Sequence, residues 1–335
     1  AVGRSGRKGN AGDARIKKGV RFADMENDIL NLVGKNILFF DGAFGTQIQK
    51  RGLELGEIPE SFNINRPDIV RAVYMEYKNA GANFLTTNTF GANRLKLEKT
   101  AYRVSEVIPA AVQIAKEAAA GECFVALDVG PLGELLAPMG TLSFDEAYDI
   151  FAEQMILGEQ NGADVILIET MTDLAELRTA LLAARENTAL PVFCTMSFEE
   201  NGRTFMGCCI ESAAAALENL ADVIGINCSL GPKEILPIAK KLSTCCSKPI
   251  MIQPNAGLPQ VENGETVYRV TPEEFEEDMA EFYRLGAAIL GGCCGTTPEH
   301  IFRMTEACRK IPVKTPVKKT DTIVSSPEFL QESFC

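Results

Sequence analysis

Residues 164–196 read DVILIETMTDLAELRTALLAARENTALPVFCTM. The stretch Asp164–Glu169 is apolar and β-branched until it ends in an acid. Asp173 then stands where a helix N-cap belongs, and Asp173–Glu186 has helical composition and spacing. A second apolar run, Val192–Met196, follows. Two near-continuous apolar runs joined through a helix are the signature of parallel strands buried on both faces. The unit is strand, helix, strand.

Working outward, the same alternation recurs along the chain. Strands are expected at Ile37–Phe40, Phe84–Thr87, Phe124–Asp128, Asp164–Glu169, Val192–Met196, Val223–Asn227, Pro249–Gln253 and Ala287–Leu290. Helices are expected at Pro67–Ala80, Glu106–Ala120, Phe144–Asn161, Asp173–Glu186, Glu211–Leu220, Pro232–Ser243, Pro272–Leu285 and Pro298–Lys310. Thr271-Pro272-Glu273-Glu274 and Thr297-Pro298-Glu299 each supply a cap, a proline at the first helical position and an acid in the first turn. Eight β-then-α units predict an α/β fold of the (β/α)8 TIM-barrel type over residues 31–311. The rival, a doubly wound open sheet, usually carries a GxGxxG loop after its first strand, and none stands there.

Composition narrows the function classes. The 335 residues hold 33 Lys+Arg against 45 Asp+Glu, a net charge of −12, with 46% apolar residues. An acidic chain argues against nucleic-acid binding. No apolar run approaches the ~20 residues of a membrane span. With no secretory pattern, the expectation is a reducing, cytoplasmic setting without structural disulfides. Residues 1–24 carry +5, so the remainder carries −17. Residues 1–30 read as a basic extension, and 312–335, rich in Pro, Lys, Thr and Ser, as a linker towards further modules. One histidine, His300, and no tryptophan exclude a histidine-rich metal site. His300 reads as a first-turn helix residue. The eleven cysteines make thiol chemistry the leading idea.

In this fold, functional residues gather at the C-terminal ends of the strands. Cys228 follows the sixth strand, and Cys293 and Cys294 follow the eighth. Three thiolates with one open position suit catalytic zinc, and the glycines of Gly291-Gly292-Cys293-Cys294-Gly295 lend the backbone freedom to aim both sulfurs. The competing reading is buried free thiols. Cys208-Cys209 lies on the same face, Cys245-Cys246 on the opposite one. Asp41 and Glu169 enter the same mouth, either as an acid/base pair or as partners for a substrate ammonium, whereas Asp128 reads as a cap or turn residue. The amides of Gly42, Ala43 and Phe44 can cradle a carboxylate. No lysine ends a strand, which argues against Schiff-base chemistry.

Asp41-Gly42-Ala43-Phe44-Gly45-Thr46, Asn88-Thr89-Phe90, Gly130-Pro131-Leu132-Gly133, Ile168-Glu169-Thr170, Gly225-Ile226-Asn227-Cys228, Pro254-Asn255-Ala256-Gly257 and the run Gly291–His300 together resemble the homocysteine S-methyltransferase family. The likeness covers residues ~30–311 in order and is strongest to the N-terminal module of the cobalamin-dependent members. The resemblance implies zinc on Cys228, Cys293 and Cys294, with Asn255 as a fourth ligand when substrate is absent. It implies homocysteine held at Asp41, Gly42, Ala43, Asn88 and Glu169, and methylcobalamin on a separate module or protein as methyl donor. S-methylmethionine or betaine are the donors of other relatives. A non-catalytic zinc or thiol-redox module is the reading from another class, motivated by Cys208-Cys209.

Overall fold

Every strand expected from the sequence forms, and all eight run parallel in one sheet. The computed structural model describes residues 29–54, 56–262 and 264–312, together with the backbone of 323–325 and 330–332. The strands are β1 (Leu38–Phe39), β2 (Phe84–Thr86), β3 (Phe124–Val129), β4 (Val165–Met171), β5 (Val192–Met196), β6 (Val223–Asn227), β7 (Ile250–Gln253) and β8 (Ile289–Leu290). They hydrogen-bond in the order β1-β8-β7-β6-β5-β4-β3-β2. A parallel bridge between Phe40 and Phe84 joins the two ends, so the sheet closes into a barrel. Closure removes the exposed edges that an open sheet would leave.

The outer ring is α1 (Pro67–Asn79), α2 (Val104–Ala119), α3 (Phe144–Gln160), α4 (Leu174–Asn187), α5 (Ile210–Leu217), α6 (Pro232–Cys245), α7 (Pro272–Leu285) and α8 (Pro298–Cys308). The expected caps are in place. Asp173 accepts from the Ala175 amide, and Thr271 forms a capping box with Glu274. At α8 the box is Thr297 with His300, whose Nδ1 accepts from the Thr297 amide while Nε2 donates to the Val270 carbonyl. His300 is thus a neutral, structural residue, as its first-turn position suggested.

Side chains alternate across each strand. One set faces the helices and forms the main core. The other fills the barrel: Leu38, Phe40, Phe84, Ala126, Val165, Leu167, Phe193, Val223, Met251 and Ile289. Phe40 and Phe84 stack with centroids 4.4 Å apart, and Phe193 meets both edge-on. Ile29, Leu32 and Val33 plug the N-terminal end. The interior is therefore packed, and any chemistry belongs to the opposite mouth.

Three features depart from the sequence reading. β4 runs on to Met171, with a register irregularity against β5 between Ile168 and Met171. Short helices at Phe44–Gln49, Phe62–Asn65 and Arg94–Leu97, and a hairpin pairing Gln260–Glu262 with Glu265–Val267, were not expected. Such pieces are too short to show periodicity. The basic stretch 1–28 lies outside the described residues. Of 312–335, the strands Ile323–Ser325 and Leu330–Glu332 pair antiparallel. Among the described residues, no helix is long and apolar enough to cross a membrane.

Candidate active site

The polar mouth follows from the same alternation that fills the barrel. Ala126 points inward, so Asp128 does too. Leu167 likewise sets Glu169, Phe193 sets Thr195, Val223 sets Asn227 and Met251 sets Gln253. The last inward layer is thus polar, laid over an apolar interior.

Cys228, Cys293 and Cys294 meet at one side of this layer, all three sulfurs within 4.8 Å of one another. Cys228 Sγ and Cys294 Sγ are 3.9 Å apart. A tetrahedral ion with sulfur at ~2.3 Å has edges of about 3.8 Å, so the donor set fits zinc in kind and spacing. Asn255 is buried, its amide donating to the Leu230 carbonyl two residues past Cys228 and the next amide, of Ala256, to the Cys294 carbonyl, and its Oδ1 has no hydrogen-bond partner. That orphan oxygen suits a fourth ligand. Cys228 and Ser229 adopt left-handed backbone, φ +58° and +55°. The strain is held by bonds from the Cys228 amide to the Gln253 carbonyl and from the Leu230 amide to the Cys228 carbonyl.

The glycines act differently from expectation. Only Gly295 of the Gly291–Gly295 run has positive φ, +81°. Gly292 is required for space, since a Cβ there would fall within 3 Å of the Thr296 side chain. Thr296 Oγ1 in turn donates to the Cys293 carbonyl and accepts from the Ala43 amide.

Hydrogen bonds from Cys228 and Cys293 push Cys294 down to about 3, whereas hydrogen bonds to Cys228 and Cys294 push Cys293 up. Tyr268, half-buried after the hairpin, also hydrogen-bonds Cys294. Nothing in the sequence marks Tyr268 out. Among the described residues, no other group of three metal-ligating side chains assembles. Cys208 donates to the Cys209 carbonyl and Cys209 to Ser212 Oγ. Burial pushes Cys208 up to about 11 and Cys246 up to about 12, the behaviour of inert core thiols.

The acids occupy the rest of the mouth. Asp41 is buried, its Oδ2 accepting from the Thr86 amide and its Oδ1 from the Thr86 hydroxyl, both at 2.7 Å. Burial raises its pKa to about 7. Glu169 is raised to about 8 by burial, then by the charges of Asp41 and Cys294. Asn227, fully buried, connects acid and thiol: its Nδ2 donates to Glu169 Oε2 and lies 4.0 Å from Cys293 Sγ. One expectation needs correction, and two further residues have donors already partnered within the chain. Asp128 is a strand residue, not a turn or cap, because β3 continues through Val129. The Ala43 amide is already donated to Thr296, which leaves Gly42 and Phe44 from the suggested cradle. Asn88 donates to the Pro59 carbonyl and Asn63 Oδ1, clamping the 59–65 segment, so its side-chain donors are engaged within the protein.

Comparison with known proteins gives a consistent picture. A family model described as homocysteine S-methyltransferase matches residues 38–308. The chain is 33% identical over 307 residues to the methionine synthase of Mycobacterium tuberculosis, covering 85% of this chain and 26% of that protein. It is 32% identical to that of Mycobacterium leprae, covering 84% and 25%. The chain thus spans about a quarter of the length of these curated relatives. Among solved structures, the homocysteine methyltransferase MmuM from Escherichia coli in its metallated form has the same fold, with TM-score 0.70 at 20% identity, covering 81% of this chain and 96% of that one.

Proposed function

Because the chain belongs to the homocysteine S-methyltransferase family, we propose that it binds homocysteine and presents its sulfur to a methyl donor, with methionine as product. The observation that carries this reading is the set of three thiols within 4.8 Å at a mouth that also holds buried carboxylates. Cys228, Cys293 and Cys294 would hold zinc, with Asn255 filling the fourth position in the absence of substrate. Bound zinc supplies a thiolate-stabilising charge. A free thiol of pKa ≈ 8.5 is only about 3% ionised at pH 7, so full ionisation raises the reactive form about 30-fold.

The chain's own residues do the rest. Acids at the mouth receive the substrate ammonium, Glu169 foremost because Asn227 holds its carboxylate in place. The free amides of Gly42 and Phe44 face the substrate carboxylate. Asn227 keeps acid and sulfur at a fixed spacing, which is what bringing two ends of one small substrate into register requires. No general base is needed if sulfur arrives ionised, consistent with a mouth whose nearest histidine is a helix cap.

The donor in this reading is methylcobalamin, brought by a separate module or protein. Similarity to methionine synthases of which the matched region is only about a quarter supports that division of labour. The test supplies zinc-loaded protein and homocysteine with methylcobalamin, S-methylmethionine or betaine in turn. Methionine formed fastest from methylcobalamin is expected. Methionine formed only from one of the other two overturns the choice of donor, and none from any donor, with zinc bound, overturns the function.

A further inference from the structure

A hydroxyl from outside the thiol cluster reaches into it. Tyr268 stands between the hairpin and α7, on a strap that Val270 pins twice. The Val270 amide donates to the Ala256 carbonyl, and the Val270 carbonyl accepts from His300 Nε2 at 3.0 Å. The Ala256 amide in turn donates to the Cys294 carbonyl. The tyrosine ring lies against Gly295, where an added Cβ would fall within 3 Å of Tyr268 Cβ, Cγ and Cδ2. Gly295 is thus required twice, for its φ of +81° and for the room it leaves the ring. From this seat the Tyr268 hydroxyl hydrogen-bonds Cys294. A phenol is protonated at neutral pH, so the oxygen donates and the sulfur accepts.

Each sulfur of the cluster has a donor of this kind beside it. The Ser229 amide hydrogen-bonds Cys228, and Asn227 Nδ2 lies 4.0 Å from Cys293 Sγ. The pattern matters once a sulfur is to be alkylated. Sulfur supplies the electron pair of the new S–C bond, and the donor leaves with the pair of the bond that breaks. A hydrogen bond to a metal-bound sulfur draws on the same electron pairs and tunes the ligand. If protein and substrate sulfurs share one ion, the ion treats them alike, and the surrounding donors must decide which of them is alkylated.

We propose that Tyr268 is a positioning residue that keeps Cys294 a ligand rather than a nucleophile: its hydroxyl engages the sulfur, and its ring, seated on Gly295, closes one side of it. The assignment rests on the zinc-thiolate reading above. His300 then acts at one remove, by fixing the strap that carries the tyrosine.

The test is alkylation of zinc-loaded protein with iodoacetamide, in which the S–C bond forms as iodide leaves. Modified sites are read by peptide mass spectrometry at low labelling. Tyr268→Phe keeps the ring and removes the hydroxyl, whereas Tyr268→Ala removes both. Labelling of Cys294 should rise about 10- to 150-fold in Tyr268→Phe, the range for losing a hydrogen bond to a charged group, and at least as far in Tyr268→Ala. Labelling of Cys209, which lies outside the cluster, and zinc content should match wild type. Unchanged Cys294 labelling in Tyr268→Phe, an equal rise at Cys228 and Cys293, or a Tyr268→Phe protein that loads no zinc overturns the assignment while leaving the zinc reading intact. A wild-type protein that takes up no zinc overturns both.

Discussion

Cysteines 228, 293 and 294 differ from the other thiols in company rather than in type. Each has two sulfurs within 4.8 Å, so losing one leaves a pair that cannot complete a tetrahedral site. Cys228→Ser and Cys293→Ser should each lose most of their zinc by elemental analysis, against about one ion per wild-type chain; Cys208→Ser should keep it. Zinc retained in both site variants would refute the ligand set. Asp41 gives a pH signature. Its pKa is about 7 in the folded chain against 3.8 ordinarily, so between these values the folded form holds a proton that the unfolded form has released. Its contribution to stability is complete below the lower value and is lost as pH rises through the upper one, by up to ~1.4 kcal/mol per pH unit. In urea unfolding, the stability of metal-free wild type relative to Asp41→Asn should therefore fall between pH 4 and 7. A difference that stays flat over that range would contradict the assigned environment.

At the scale of elements, the loop after β8 depends on a threonine that touches two chain segments. Thr296 ties the Cys293 carbonyl to the Ala43 amide of the loop after β1, and Gly292 leaves it room. Gly292→Ala should destabilise the fold by about 1–3 kcal/mol through overpacking, read as a lower melting temperature. An unchanged melting temperature would show that Thr296 yields freely. The eight strands and their helices were legible because each combines an apolar run with cap chemistry that needs no tertiary context, as at Asp173, Thr271 and Thr297. The thiol cluster was legible because strand ends of a barrel share one face. The inward placement of Asp128 was not, because it depends on the strand continuing through Val129 rather than turning at Asp128. The engagement of Ala43 and Asn88 was not either, since their partners Thr296 and Pro59 lie far away in sequence or in unpredicted short helices.

For the whole molecule, the thiol cluster is a passenger on a completed scaffold. The barrel closes through Phe40 and Phe84, its interior is filled and its N-terminal end plugged without any contribution from the thiols. Chelation should leave the far-ultraviolet circular dichroism unchanged and only lower the melting temperature, because zinc that binds the folded state stabilises it by mass action. Loss of helical signal on chelation would mean that metal and folding are coupled, as in small zinc domains. The central claim is that the three thiols and the substrate sulfur share one ion. X-ray absorption at the zinc edge of the loaded protein tests it directly, before and after homocysteine. The account predicts a shell of three sulfurs and one lighter atom that becomes four sulfurs at ~2.3 Å when homocysteine binds. A shell that does not gain sulfur under saturating homocysteine would contradict it.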